Sequence, residues 1–202
     1  LPAPGDWNRI GLYSTGEAAM AYTVVRYGWY NLSALTGDSR LTVDNTTITD
    51  GSGYGIYAGG GGVLTVTQST VADNGSYGLY VYNSTLRVAT TTVRDNGSDG
   101  VHASGTASKV TVADSLVTDN GDDGIDVGCS VTVTGTTVIS NVSNGIEVRP
   151  TSGVITPTIS GSTIADNVGD EVFVNYNGGA GLPVLSANTI SGNGLDHAVA
   201  LG

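Results

Sequence analysis

Apolar and polar residues alternate along this chain in short runs that keep returning. Residues 41–57 read LTVDNTTITDGSGYGIY and residues 64–80 read LTVTQSTVADNGSYGLY, with the same spacing of apolar, turn and glycine positions. The second apolar residue of each L-x-V run marks Met20, Val43, Val66, Val88, Val112, Val133, Ile159 and Leu185, at steps of 21 to 26 residues. Five residues beyond each marker stands another aliphatic: Val25, Ile48, Val71, Val93, Val117, Val138, Ile164 and Ile190. Each repeat thus holds an L-x-V, an x-I-x and a G-I-x segment, and alternation of this kind buries one residue in two on a strand. One repeat alone exposes its apolar side, whereas stacked repeats bury a continuous aliphatic column and pair every strand edge. The pattern predicts an all-β solenoid of about eight rungs. It occupies residues 1–202 as one domain, with an N-terminal rung and irregular loop over 1–40 and regular rungs over 41–202.

Polar columns keep the same period. Asn74, Asn96, Asn120, Asn141, Asn167 and Asn193 recur at one turn, and Thr23, Thr46, Ser69, Thr91, Ser115, Thr136, Ser162 and Asn188 at another. An amide or hydroxyl at such a turn can bond to its counterpart one rung away and satisfy buried turn backbone. The repeat V-x-I-x-x-N/S/T-x-I-x-D-N-x-x-x-G-I resembles that of the right-handed parallel β-helix proteins of the pectin-lyase-like superfamily, from about residue 18 onward. The opening APGDWNRIGLYSTGEAAMAYTVVRYG is similar to the first rungs of bacterial secreted β-helix proteins. The resemblance implies the fold, but the superfamily includes lyases, hydrolases, epimerases, adhesins and inert repeats.

Composition narrows the partners. Seven basic against eighteen acidic residues give a net charge of −11, and Lys109 is the single lysine. Nucleic acid and anionic membrane surfaces are excluded as partners, because both select basic stripes. No apolar run is long enough to span a bilayer, and the one cysteine, Cys129, has no internal disulfide partner. The chain opens at Leu1 with no signal peptide, so it is expected to be part of a longer protein.

Candidate chemistry lies on the G-I-x strand, where the residue after the buried aliphatic faces outward. Read rung by rung, this column is Tyr57, Tyr80, His102, Asp126 and Glu147, with Tyr82 and Arg149 two positions further along their strands. Aromatic rings beside acids and an arginine suit a sugar, rings covering pyranose faces and charged groups bonding hydroxyls. Tyr57, Tyr80, Tyr82, His102, Glu147 and Arg149 are therefore the candidate carbohydrate contacts. Asp122, Asp123 and Asp126, with Asp99 one rung earlier, offer the hard oxygens that Ca²⁺ takes. The resemblance to one calcium-dependent pectate lyase family implies the same four ligands. That family's base is a lysine on a later rung; here Lys109 precedes the acidic run, and Arg149 is the only candidate base if the protein is a lyase. A further acidic column, Asp50, Asp73, Asp95, Asp119 and Asp166, predicts side chains that accept turn N–H bonds or a row of weak cation sites. His102 and His197 stand isolated in the sequence.

The leading expectation is a non-catalytic extracellular or cell-surface scaffold or adhesive module with a glycan-contacting face. Its alternative is a Ca²⁺-dependent polysaccharide lyase. Outward threonines Thr42, Thr65, Thr111, Thr132 and Thr158 add a remote ice-binding reading. Rod ends without a visible cap predict end-to-end self-association or flanking rungs.

Overall fold

The computed structural model describes residues 1–13, 15–34, 37–150, 155–175, 181–192 and 198–201. Among them every regular element is a strand, and no helix is long and apolar enough to cross a membrane. The strands form three parallel sheets, each assembled from every third strand of the chain. Sheet A runs from Glu17–Ala21 to Val184–Ser186, sheet B from Val24–Arg26 to Thr189–Ser191, and sheet C from Ile10–Leu12 to Val199–Leu201. A and B have eight strands each and C has nine. Seven complete turns connect the eight levels of sheet A, so the expected eight rungs count levels rather than turns.

The predicted registers are those observed. Met20, Val43, Val66, Val88, Val112, Val133, Ile159 and Leu185 are successive partners in sheet A. Val25 through Ile190 are successive partners in sheet B. Together with Ile56, Leu79, Val101, Ile125, Ile146 and Val172 of sheet C, these side chains fill one core. Fully burying an aliphatic side chain of this size contributes about 1.5–3 kcal/mol, so a slip of the register that moved the column outward would be costly.

The bend between sheets B and C is built on one left-handed residue per rung. Asp50, Asp73, Asp95, Asp119 and Asp166 have φ between 53° and 57°, a conformation that short polar side chains tolerate. Three of the five have a side-chain partner: the Arg94 guanidinium lies 3.7 Å from Asp73 and contacts Asp95, and Thr118 Oγ1 donates to Asp119 at 2.7 Å. The next residue inward is the asparagine ladder. Each Nδ2 donates to the Oδ1 of the following rung, from Asn74 to Asn96, Asn120, Asn141 and Asn167, at 2.9–3.0 Å. Asn193 and His197 lie outside the described residues. Two further members had no sequence signal. Where the ladder position is Gly51, Asn31 reaches across and donates to Asn74 Oδ1 at 3.0 Å, and beyond Asn167 the fully buried Glu171 accepts from its Nδ2.

Hydroxyls serve the bend between A and B. Ser69, Thr91, Ser115, Thr136 and Ser162 each donate to the carbonyl two residues back and accept the backbone N–H of the neighbouring rung.

Candidate functional site

Sheet C carries the candidate residues on one outward row. Strands Ile56–Gly59, Leu79–Tyr82, Val101–Ser104, Ile125–Val127 and Ile146–Val148 pair so that Tyr57, Tyr80, His102, Asp126 and Glu147 are successive neighbours. The turn before each strand contributes a second row: Tyr54, Tyr77, Asp99, Asp123 and Asn144. Their register is fixed because the carbonyls of Tyr77, Asp99, Asp123 and Asn144 accept the N–H of Gly55, Gly78, Gly100 and Gly124. Gly124 has no room for a side chain, since a Cβ there would lie 2.6 Å from both Gly145 O and Val138 Cγ1.

The N-terminal half of this double row is aromatic. Tyr30 and Tyr54 stack in parallel with centroids 4.5 Å apart, Tyr77 lies 5.4 Å from Tyr54, and the His102 imidazole stacks on Tyr77 at 4.6 Å. Beside this column Tyr57 and Tyr80 meet at 5.3 Å, and Tyr80 meets His102 edge-on at 5.1 Å. Tyr80 also shares a hydrogen bond with Ser104 Oγ at 3.2 Å. Tyr82, 46% exposed, stands further along the same strand. The rings thus pack mainly on one another, and the Tyr57 hydroxyl leans over Gly59 of its own strand. Burial and the neighbouring phenols push the Tyr54 pKa up to about 12, so its hydroxyl stays protonated.

The C-terminal half is charged and tightly paired. His102, isolated in sequence, is not isolated in space: its Nδ1 lies 2.9 Å from Asp99 Oδ2 and 3.2 Å from Asp126 Oδ2. Burial alone would lower its pKa, but the two carboxylates outweigh burial and raise it to about 9. Arg149 Nη2 donates to Asp126 Oδ2 at 2.8 Å and its Nε lies 3.1 Å from Glu147 Oε1. Against the pull of burial, His102 and Arg149 hold Asp126 below the usual carboxylate range. Asp99 is shifted upward, chiefly by burial. Glu147 is pushed up to about 8 by burial and by Asp123, and its Oε2 accepts from Asn144 Nδ2 at 3.0 Å. Two carboxyl groups on adjacent rungs therefore titrate far apart, Asp126 ionised and Glu147 neutral near pH 7.

The four acids expected to share one ion are divided among separate groupings. Asp99, Asp122 and Asp123 bring carboxylate oxygens within 4.8 Å of one another, whereas Asp126 joins Asp99 with His102 and Asp123 with Glu147. The first trio has the hard-oxygen chemistry that suits Ca²⁺. Asp126 Oδ2 is already engaged by His102 and Arg149, so the residues fit a three-carboxylate site better than a four-carboxylate one. A shallow depression of about 330 Å³ opens beside His102, Ser104, Asp126 and Arg149. Sequence reasoning missed Tyr30, Tyr54, Tyr77 and Asn144. The signal for three of them was present: Tyr54, Tyr77 and Asn144 stand three residues before the outward residue of their strand, as Asp99 and Asp123 do.

Residues 34–195 match the family model described as a right handed beta helix region. The chain belongs to this right-handed β-helix family. Among curated proteins no sequence matches. Among solved structures, the family fold is shared with the A-module of the mannuronan C-5 epimerase AlgE6 of Azotobacter vinelandii, at TM-score 0.68 and 18% identity over 94% of this chain and 59% of that one. It is shared also with pectate lyase Pel9A, at TM-score 0.59 and 14% identity over 94% of this chain and 68% of that one. This β-helix chain therefore spans less than two thirds of the epimerase module.

Proposed function

We propose that this β-helix chain binds a polysaccharide along the outward face of sheet C and acts as an extracellular or cell-surface glycan-contacting module. One observation carries the reading: the aromatic patch from Tyr30 to Tyr80 runs without a break into the Asp99–His102–Asp126–Arg149 cluster. A polymer laid along the helix axis meets tyrosine side chains first and then a fixed array of charged hydrogen-bond partners, which bond hydroxyls more strongly than neutral groups do. The fold shared with an epimerase and a lyase named for polysaccharides supports the same class of partner. Affinity electrophoresis in gels containing a panel of plant and bacterial polysaccharides tests this. Retardation by at least one polymer is expected, and its loss in Tyr57→Ala/Tyr80→Ala; equal mobility of wild type and variant in every gel contradicts the assignment.

A second reading, a Ca²⁺-dependent polysaccharide lyase, is favoured by the Asp99–Asp122–Asp123 trio. Ca²⁺ bound there would supply positive charge for a substrate carboxylate. Arg149 is poorly suited to be its base, because against the pull of burial Asp126 holds the guanidinium charged and raises its pKa further. Appearance of ultraviolet-absorbing unsaturated product from polygalacturonate or alginate in the presence of Ca²⁺ would establish the lyase. A melting temperature that is the same in millimolar Ca²⁺ and in EDTA would remove the ion from the account.

A further inference from the structure

An open cavity lies at the N-terminal end of the aromatic patch, three rungs from His102. It has a volume of about 460 Å³ and is lined by Asp6, Trp7, Asn8, Arg9, Trp29 and Tyr30. Its walls are held in place by the backbone: Trp29 N–H donates to Trp7 O at 2.8 Å and Tyr30 N–H to Asn8 O at 3.1 Å. The Trp7 indole is oriented by its Nε1 bond to Arg26 O at 3.0 Å. The Arg9 guanidinium covers the outer face of the tyrosine stack, 5.5 Å from the Tyr30 centroid. Trp29 differs from the other rings of the patch. It is 57% exposed and meets Tyr30 at an interplanar angle of 65°, so it is not consumed in the stack.

Free indole surface, a carboxylate, a carboxamide and a guanidinium in one cavity make a complementary set for a sugar ring. The indole covers the apolar ring face, Asp6 accepts from hydroxyls, Arg9 donates to them and Asn8 does both. The charge balance speaks to the kind of sugar. Asp6 and Arg9 offset one another in the cavity, while the far end of the face sets Asp99, Asp122, Asp123 and Asp126 against His102 and Arg149, in a chain of net charge −11. A polyuronate laid along this face meets repulsion; an uncharged chain does not.

We propose that the Trp7–Arg9–Trp29–Tyr30 cavity is a subsite for one uncharged pyranose unit of a neutral polysaccharide whose chain continues over Tyr54 and Tyr77 to the His102 cluster. The proposal rests on the glycan reading above and makes it specific. Three rung steps of ~4.8 Å separate Tyr30 from His102, so a ligand that occupies both ends must be an oligosaccharide.

Calorimetric titration of the intact chain in EDTA with hexasaccharides of glucose, mannose, xylose and galacturonate decides it. At least one neutral hexasaccharide is expected to bind more tightly than hexagalacturonate, and Trp29→Ala is expected to weaken that binding about tenfold, a loss of about 1.4 kcal/mol. Trp29 is exposed, so its replacement leaves the fold intact. Binding lost in Tyr80→Ala but unchanged in Trp29→Ala overturns the subsite and leaves the glycan face standing. Binding unchanged in both variants overturns the face itself. Tighter binding of hexagalacturonate, or no binding by any neutral hexasaccharide, overturns the assignment to an uncharged glycan.

Discussion

Val112 shows how little freedom a core position has in this fold. It is fully buried between Val88 and Val133, and no polar group of the core column faces it. Val112→Asp buries a carboxylate with no partner, at a cost of several kcal/mol, and the expected outcome is an unfolded chain by circular dichroism. His102 shows the opposite case, a charge held in place by its neighbours. Its folded pKa of about 9 lies above the unfolded value, so its contribution to stability is complete below pH ~6.5 and is lost as pH rises through ~9. Glu147, raised to about 8, acts in the same direction, its contribution lost between pH ~4.3 and ~8. Melting temperature is therefore expected to fall from neutral to alkaline pH. In His102→Gln the decline near pH 9 should disappear, and an unchanged profile would show that the imidazole is not held protonated. His102 also marks the limit of reading along the chain: Asp126 is 24 residues away in sequence and one strand away in space.

At the scale of the element, the turns carry as much specification as the strands. Asn120 accepts from Asn96 Nδ2 and donates to Asn141 Oδ1, each at 3.0 Å, and its Nδ2 also reaches Val93 O at 3.3 Å. Asn120→Ala takes the acceptor from the buried Asn96 backbone N–H and removes one bond each from Asn96 Nδ2 and Asn141 Oδ1, at about 1–3 kcal/mol for each group left unsatisfied. Urea titration should show a loss of 2–4 kcal/mol (an order-of-magnitude figure from the same cost, ~1–3 per group); a loss near zero would show that the ladder does not hold the bend. The ladder, the hydroxyl column and the strand registers were all legible, because each depends on a period that the sequence repeats. Asn31 was not: it fills the place over Gly51 from a different turn position, and no spacing rule connects the two. The turn row of Tyr54, Tyr77 and Asn144 was legible in spacing, yet its residue types change from aromatic to acid to amide. A column that alters its chemistry along the rod does not look like a column in one dimension.

For the whole molecule, the stacking that buries the core also leaves apolar side chains at its extremities. Ile10, whose strand partner is the core residue Leu32, is exposed at one end, and Met20 there and Leu185 and Ile190 at the other are only partly buried. As a free 202-residue chain the rod is expected to associate end to end, and because such a contact is heterologous it does not close into dimers. Sedimentation that stays monomeric across a concentration series would contradict this. Glycan binding along the long face of sheet C is read out by side-chain footprinting. Hydroxyl-radical oxidation of the chain, with and without a retarding polysaccharide, reads the accessibility of each tyrosine. Protection of Tyr57, Tyr80 and Tyr82 on sheet C is expected, with Tyr22, 84% exposed at the bend between sheets A and B, unchanged as an internal control. Protection of Tyr22 with none on Tyr57, Tyr80 or Tyr82 would contradict it and move the glycan to another face.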